Sequence, residues 1–144
     1  MPSLSIDELR LGAAAESRKT ISETDIYLFA GITGDFNPVH IDAEYAKKSR
    51  FGARVAHGPL TFALAAGLVG MQLPGVGTIA VSNTVRFRRP VYIGDTVATS
   101  GEIAAIDPGR NRVTVALTWH NQDGELVAEG EAVVVPPPPA ETPS

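Results

Sequence analysis

Between Gly58 and Gln72 the chain reads Gly-Pro-Leu-Thr-Phe-Ala-Leu-Ala-Ala-Gly-Leu-Val-Gly-Met-Gln, with no charged side chain anywhere. Pro59 stands where a helix accepts proline, in the first turn, so the segment reads as a helix that is apolar on every side. Such a helix must be enclosed by the rest of the protein. At 1.5 Å per residue, about 14 residues span roughly 21 Å, the length of a six-residue strand. Gly67 and Gly70 leave room for close backbone contact, so the helix fits across a sheet. It falls short of the roughly 20 apolar residues that a bilayer crossing requires, and no other segment reaches that length.

The sheet follows directly. Near Pro74-Gly75 the periodicity changes, and from Gly77 onward Ile79, Val81, Val85 and Phe87 alternate with polar partners. Residues 96–106, 112–119 and 126–135 read as further strands. Arg89-Pro90, Asp107-Pro108-Gly109-Arg110-Asn111 and Asn121-Gln122-Asp123-Gly124 separate them, which predicts hairpins and a mostly antiparallel sheet. Gly101 and Gly130 suit bends in a sheet curved around the helix. Upstream, Ser22 is a good N-cap for a helix over 23–33, with Ile26, Phe29 and Ala30 on one face and Gly31 and Gly34 closing it. Gly34-Asp35-Phe36-Asn37-Pro38 reads as a loop, because the residue before a proline avoids the helical region; Asp42 can cap a second short helix near Ala43.

With 144 residues, 44% of them hydrophobic, the chain suits one domain, assigned to 1–135. Residues 136–144 open with four prolines and are expected to form a polyproline-like or disordered tail with nothing to bury. A net charge of -4 is a poor match to a polyanion, so nucleic acid is not an expected partner. The absence of cysteine excludes disulfides, thiolate nucleophiles and Cys-ligated metals. A start without a basic-then-apolar pattern, together with the cysteine count, leads to the expectation of a cytoplasmic protein away from membranes.

No Gly-x-Ser-x-Gly elbow, His-Glu-x-x-His pair or phosphate-binding glycine loop occurs. The histidines, His40, His57 and His120, are not spaced like zinc ligands on one helix, so no metal is expected. In Asp35-Phe36-Asn37-Pro38-Val39-His40 a carboxylate and an imidazole flank a proline-stiffened turn that could aim both at one small molecule; on spacing alone a structural turn is the alternative. Arg54-Val55-Ala56-His57-Gly58-Pro59 leads into the apolar helix, whose first N–H groups carry partial positive charge.

Gly34-Asp35-Phe36-Asn37-Pro38-Val39-His40-Ile41-Asp42, then Arg54-Val55-Ala56-His57-Gly58, then Gly94-Asp95-Thr96-Val97, together resemble the MaoC-like hydratases, in particular the (R)-specific enoyl-CoA hydratases, over about residues 15–135. The resemblance implies an α+β hot-dog fold, a long buried helix wrapped by a curved antiparallel sheet. It also implies a homodimer or higher homo-oligomer with the site near the subunit interface. Asp35 and His40 look like the catalytic pair, and the Gly58 N–H like the oxyanion donor to an acyl-CoA thioester. Asn37, His57, Arg86 and Arg88 are the expected substrate-binding positions, Asn37 mainly as a loop brace and the arginines toward coenzyme A phosphates. No cofactor is implied beyond the coenzyme A of the substrate. Many such hydratases carry a serine where this chain has Ala63, and Thr61 is the nearest replacement. A hot-dog thioesterase is the nearest alternative, but it usually carries an acidic residue on the central helix. A non-catalytic acyl-CoA-binding subunit is the other, and the presence of both Asp35 and His40 argues against it.

Overall fold

The computed structural model describes residues 1–142. In chain order the elements are β1 (Ala14–Thr20), α1 (Glu23–Thr33), α2 (Pro38–Ile41), α3 (Ala43–Lys47), α4 (Gly58–Met71), β2 (Ile79–Phe87), β3 (Thr96–Asp107), β4 (Arg112–His120) and β5 (Leu126–Val135). The strands form one antiparallel sheet in the order β1-β3-β4-β5-β2. With α4 lying across it, this is the α+β hot-dog architecture.

Helix α1 begins where Ser22 and Asp25 form a reciprocal capping box, and ends on Gly34 in the left-handed region. Asp42 caps α3 by accepting from the Tyr45 N–H at 3.0 Å. Along β3 and β4 every second side chain turns inward: Val97, Thr99 and Ile103, then Val113, Val115, Leu117 and Trp119, are all buried. They meet Ala65, Leu68 and Val69 of α4, and Phe62 tilts against Trp119 with ring centroids 5.9 Å apart. Each large side chain so buried contributes about 1.5–3 kcal/mol, which fixes the helix on the sheet.

The helix is not enclosed on all sides. Ala63, Ala66, Gly67 and Met71 are exposed, and so are Ile79 and Val81 on β2. A single five-stranded layer can cover only one face of a helix, which is why the expectation of complete enclosure fails for the lone chain.

Other departures have equally local causes. Strand β1, polar and without clear alternation, is absent from the sequence reading; it is an edge strand held by backbone pairing to β3, with Ala14 opposite Glu102. Strands β3–β4 and β4–β5 are hairpins, whereas β2 pairs with β5 at the far edge, so Arg89-Pro90 does not close a hairpin. Gly101 and Gly130 answer to close approach rather than bending. A Cβ on Gly101 would sit 2.7 Å from Leu68 Cδ2, and one on Gly130 would sit 2.0 Å from the Thr84 carbonyl oxygen. The proline run stays packed at first: Pro136 and Pro137 are buried, Pro137 beside Gly77, so a tail without contacts starts no earlier than Pro138. Residues 143–144 of that tail lie outside the described residues.

Candidate active site

Three segments converge on the N-terminal end of α4. The first is the loop after α1, ending at Asn37, whose side chain accepts from the Val39 N–H at 3.3 Å and caps α2. With Pro38 supplying a preset φ, this makes a single helical turn, so His40 sits on a helix and not in the loop expected from sequence. The second is α2 itself. The third is the strut 54–57, tied to α2 by Val55 N–H to the Val39 carbonyl at 3.3 Å and to the sheet side by Ala56 N–H to the Val91 carbonyl at 2.7 Å.

The geometry fixes the roles of the ring nitrogens. His40 Nδ1 lies 2.7 Å from the Val55 carbonyl oxygen, which can only accept, so Nδ1 carries a proton and Nε2 is turned toward Asp35. His40 Nε2 and Asp35 Oδ2 are 3.9 Å apart. That is too long for a direct hydrogen bond and suits one water about 2.8 Å from each. The other carboxylate oxygen, Oδ1, accepts from the Asn37 N–H at 3.1 Å. His57, fully buried, donates from Nε2 to the Asp35 backbone carbonyl at 2.9 Å. Its ring stacks on His40 at 3.9 Å between centroids, with the planes 25° apart. His57 therefore lies beneath the pair and braces it.

Gly58 opens α4. The N–H groups of Leu60 and Thr61 both return to the His57 carbonyl, and Pro59 has none, whereas the Gly58 N–H has no acceptor among the described residues. A helix start with an unpaired donor is a ready site for a partly negative oxygen. Gly58 and His40 share the wall of a cavity of about 320 Å³, with Thr61 and Phe87 also facing it and Arg50, Arg88 and Arg89 among its lining. Arg88 and Arg89 are paired with Glu129 and Glu125 at 3.3 and 3.2 Å.

Of the sequence-derived positions, Asp35, His40, His57 and Gly58 are brought together, and Asn37 adjoins them as the cap of α2. Arg88 lines the cavity; Arg86 does not, and is exposed on β2 opposite Glu129. Arg50, Arg89 and the buried Thr61, the stand-in for the missing serine, also line it. Donor atoms of Asp35, His40 and His57 fall within 4.8 Å of one another. Two nearly parallel stacked rings cannot direct in-plane lone pairs at one ion, and each ring already spends a nitrogen on a carbonyl, so this donor set does not fit a metal.

An antiparallel sheet packed on a central helix defines a hot-dog protein, here with a carboxylate and an imidazole near the helix start. The chain belongs to the MaoC-like family: the MaoC like domain matches residues 11–123. It is 40% identical to the (R)-specific enoyl-CoA hydratase of Rhodospirillum rubrum over 91% of this chain and 90% of that protein. It is 41% identical to the 3-hydroxybutyryl-CoA dehydratase of Methylorubrum extorquens, over 93% and 85%. The R-hydratase PhaJ1 of Pseudomonas aeruginosa, in its unliganded form, superposes with a TM-score of 0.89 at 40% identity, covering 99% of this chain and 95% of that one.

Proposed function

We infer that the chain is an (R)-specific enoyl-CoA hydratase, a hydro-lyase that reversibly adds water to a trans-2-enoyl-CoA to give the (R)-3-hydroxyacyl-CoA. The observation that carries this reading is the 3.9 Å gap between Asp35 and His40, with His40 lining the same cavity as the unpaired Gly58 N–H. A water in the gap donates to Asp35 and accepts from the protonated His40 Nε2, leaving a lone pair for C3. Asp35 takes the water proton as the C3–O bond forms, the Gly58 N–H stabilises the enolate-like thioester oxygen, and His40 delivers its Nε2 proton to C2. Asp35 then returns the acquired proton to His40, which balances the cycle. These side chains and one amide supply every proton and charge, so no cofactor is assigned.

Arg50, Arg88 and Arg89 at the cavity suit the phosphates of coenzyme A. A second copy over the open face of α4 and β2 would cover Met71, Ile79 and Val81, which supports a homodimer or higher homo-oligomer. Among the described residues no helix is long and apolar enough to cross a membrane. A cytoplasmic location is part of the proposal, and membranes and nucleic acid are not among its partners.

The test is to mix purified protein with crotonyl-CoA, follow the ultraviolet absorbance of the conjugated thioester, and monitor free thiol in parallel. Loss of absorbance without thiol is the expected result. Thiol release would replace the reading with a thioesterase, and no change in either signal with a binding subunit.

A further inference from the structure

We propose that Arg54, itself held by Glu23, is a positioning residue for His40, gripping the backbone carbonyl of the residue whose ring faces the water site. The inference rests on the hydratase reading of His40. Arg54 Nε donates to the His40 carbonyl at 2.7 Å and Nη1 to Glu23 Oε1 at 2.6 Å. Tyr27, one turn along α1, donates its hydroxyl to the same Glu23 oxygen at 3.2 Å and lays its ring 5.2 Å from the guanidinium carbon. The Arg54 side chain is 12% exposed and Glu23 56%, so the anchor is largely shielded and its counter-charge reaches it from the rim.

The need for such an anchor comes from α2. Four residues cannot sustain a helix alone, and His40 is in the third of them. The ring is tied through Nδ1 to the carbonyl of Val55, and the main chain to the side chain of the preceding residue, Arg54. Two consecutive strut residues thereby hold the histidine at two points, fixing both where its backbone lies and where Nε2 aims. A planar guanidinium can serve the His40 carbonyl and Glu23 in one fixed geometry; a lysine ammonium gives no such fork. Misplacing a reacting group by about 1 Å costs up to about 10²-fold in rate.

The experiment is a mutant cycle with crotonyl-CoA. Arg54→Lys is expected to lower kcat about 10- to 100-fold with KM changed less than about threefold. In a His40→Gln background, measured at high enzyme concentration, the same change should have no further effect on the residual rate. Glu23→Gln, at the exposed end of the pair, should give a smaller loss of the same pattern and serves if Arg54→Lys does not fold. Equal losses with and without His40, or unchanged kcat in both single variants, would overturn the proposal. If the wild-type chain hydrates no enoyl-CoA, the functional reading fails, and the clamp is then judged by the His40 ring signals in nitrogen-15 NMR. Those should be sharp in wild type and broadened in Arg54→Lys, and identical spectra would overturn it.

Discussion

Gly58→Ala probes the amide assigned to the thioester oxygen. An ideal Cβ at this position lies 3.0 Å from Phe87 Cζ and 3.2 Å from both Cε atoms, tighter than nearly all real contacts, so ring or helix start must yield by a few tenths of an ångström. Phe87 is 51% exposed and can swing outward, and alanine favours helical backbone over glycine by up to about 1 kcal/mol. These effects offset, and the melting temperature should stay within about 2–4 °C of wild type, the shift that 1 kcal/mol produces in a chain near this size. Turnover should respond far more, because a displaced amide forfeits the donor, and losing one typically costs about 10²–10³-fold. Initial rates with crotonyl-CoA beside a thermal melt make the measurement. If resistance from the ring moves the amide, Phe87→Leu in the same chain should restore about tenfold relative to Gly58→Ala, with Phe87→Leu alone as the reference. A Gly58→Ala enzyme with kcat within about threefold of wild type would refute the reasoning. So would one that loses activity only in step with folded protein.

Asp35→Asn and His40→Gln should each lower turnover by about 10²–10⁴ while the circular dichroism spectrum stays native, and a folded variant with near-native rates would remove that residue from the mechanism. Gly101→Ala forces a methyl to within 2.7 Å of Leu68 Cδ2 and 3.1 Å of Val115 Cγ1, an overpacking worth about 1–3 kcal/mol. Its melting point should fall while kcat per folded molecule is unchanged; an unaltered melt would show that Leu68 moves freely. Hydrogen bonds from Arg54 and then Tyr27, with the charge of Arg54, hold the Glu23 carboxyl below its ordinary value of 4.5. The unfolded chain therefore takes up this proton first, so the stabilisation is full above about pH 4.5 and disappears as pH falls through the lower folded value. Glu23→Gln should flatten the acid limb of melting temperature against pH, and parallel curves for the two proteins would contradict the assignment.

What could be read from sequence alone follows from where the physics is local. Helices α1 and α4 were visible because a capping serine and an uncharged run are written in consecutive residues. Strand β1 was not, since it is specified by the free edge of β3 and not by its own side chains. The openness of α4 depends on how many strands lie over it, which no window of sequence contains. Asp35, His40 and Gly58 stood out through their motifs, and the structure adds why they converge. His57 and Arg54 act on backbone carbonyls, and a carbonyl acceptor leaves no mark in the side-chain pattern. Both lay in the Arg54-Val55-Ala56-His57-Gly58 motif, but nothing in that pattern says that either side chain acts on a main-chain carbonyl.

His57 holds the main chain of Asp35, and the next residue along, Gly58, offers the unpaired amide. Adjustments to the start of α4 must therefore carry the carboxylate and the amide together, so selection or engineering cannot retune one without disturbing the other. Substrate preference has more freedom at Arg88, which lines the cavity just after β2, where a change need not touch the segment that aligns the reacting groups.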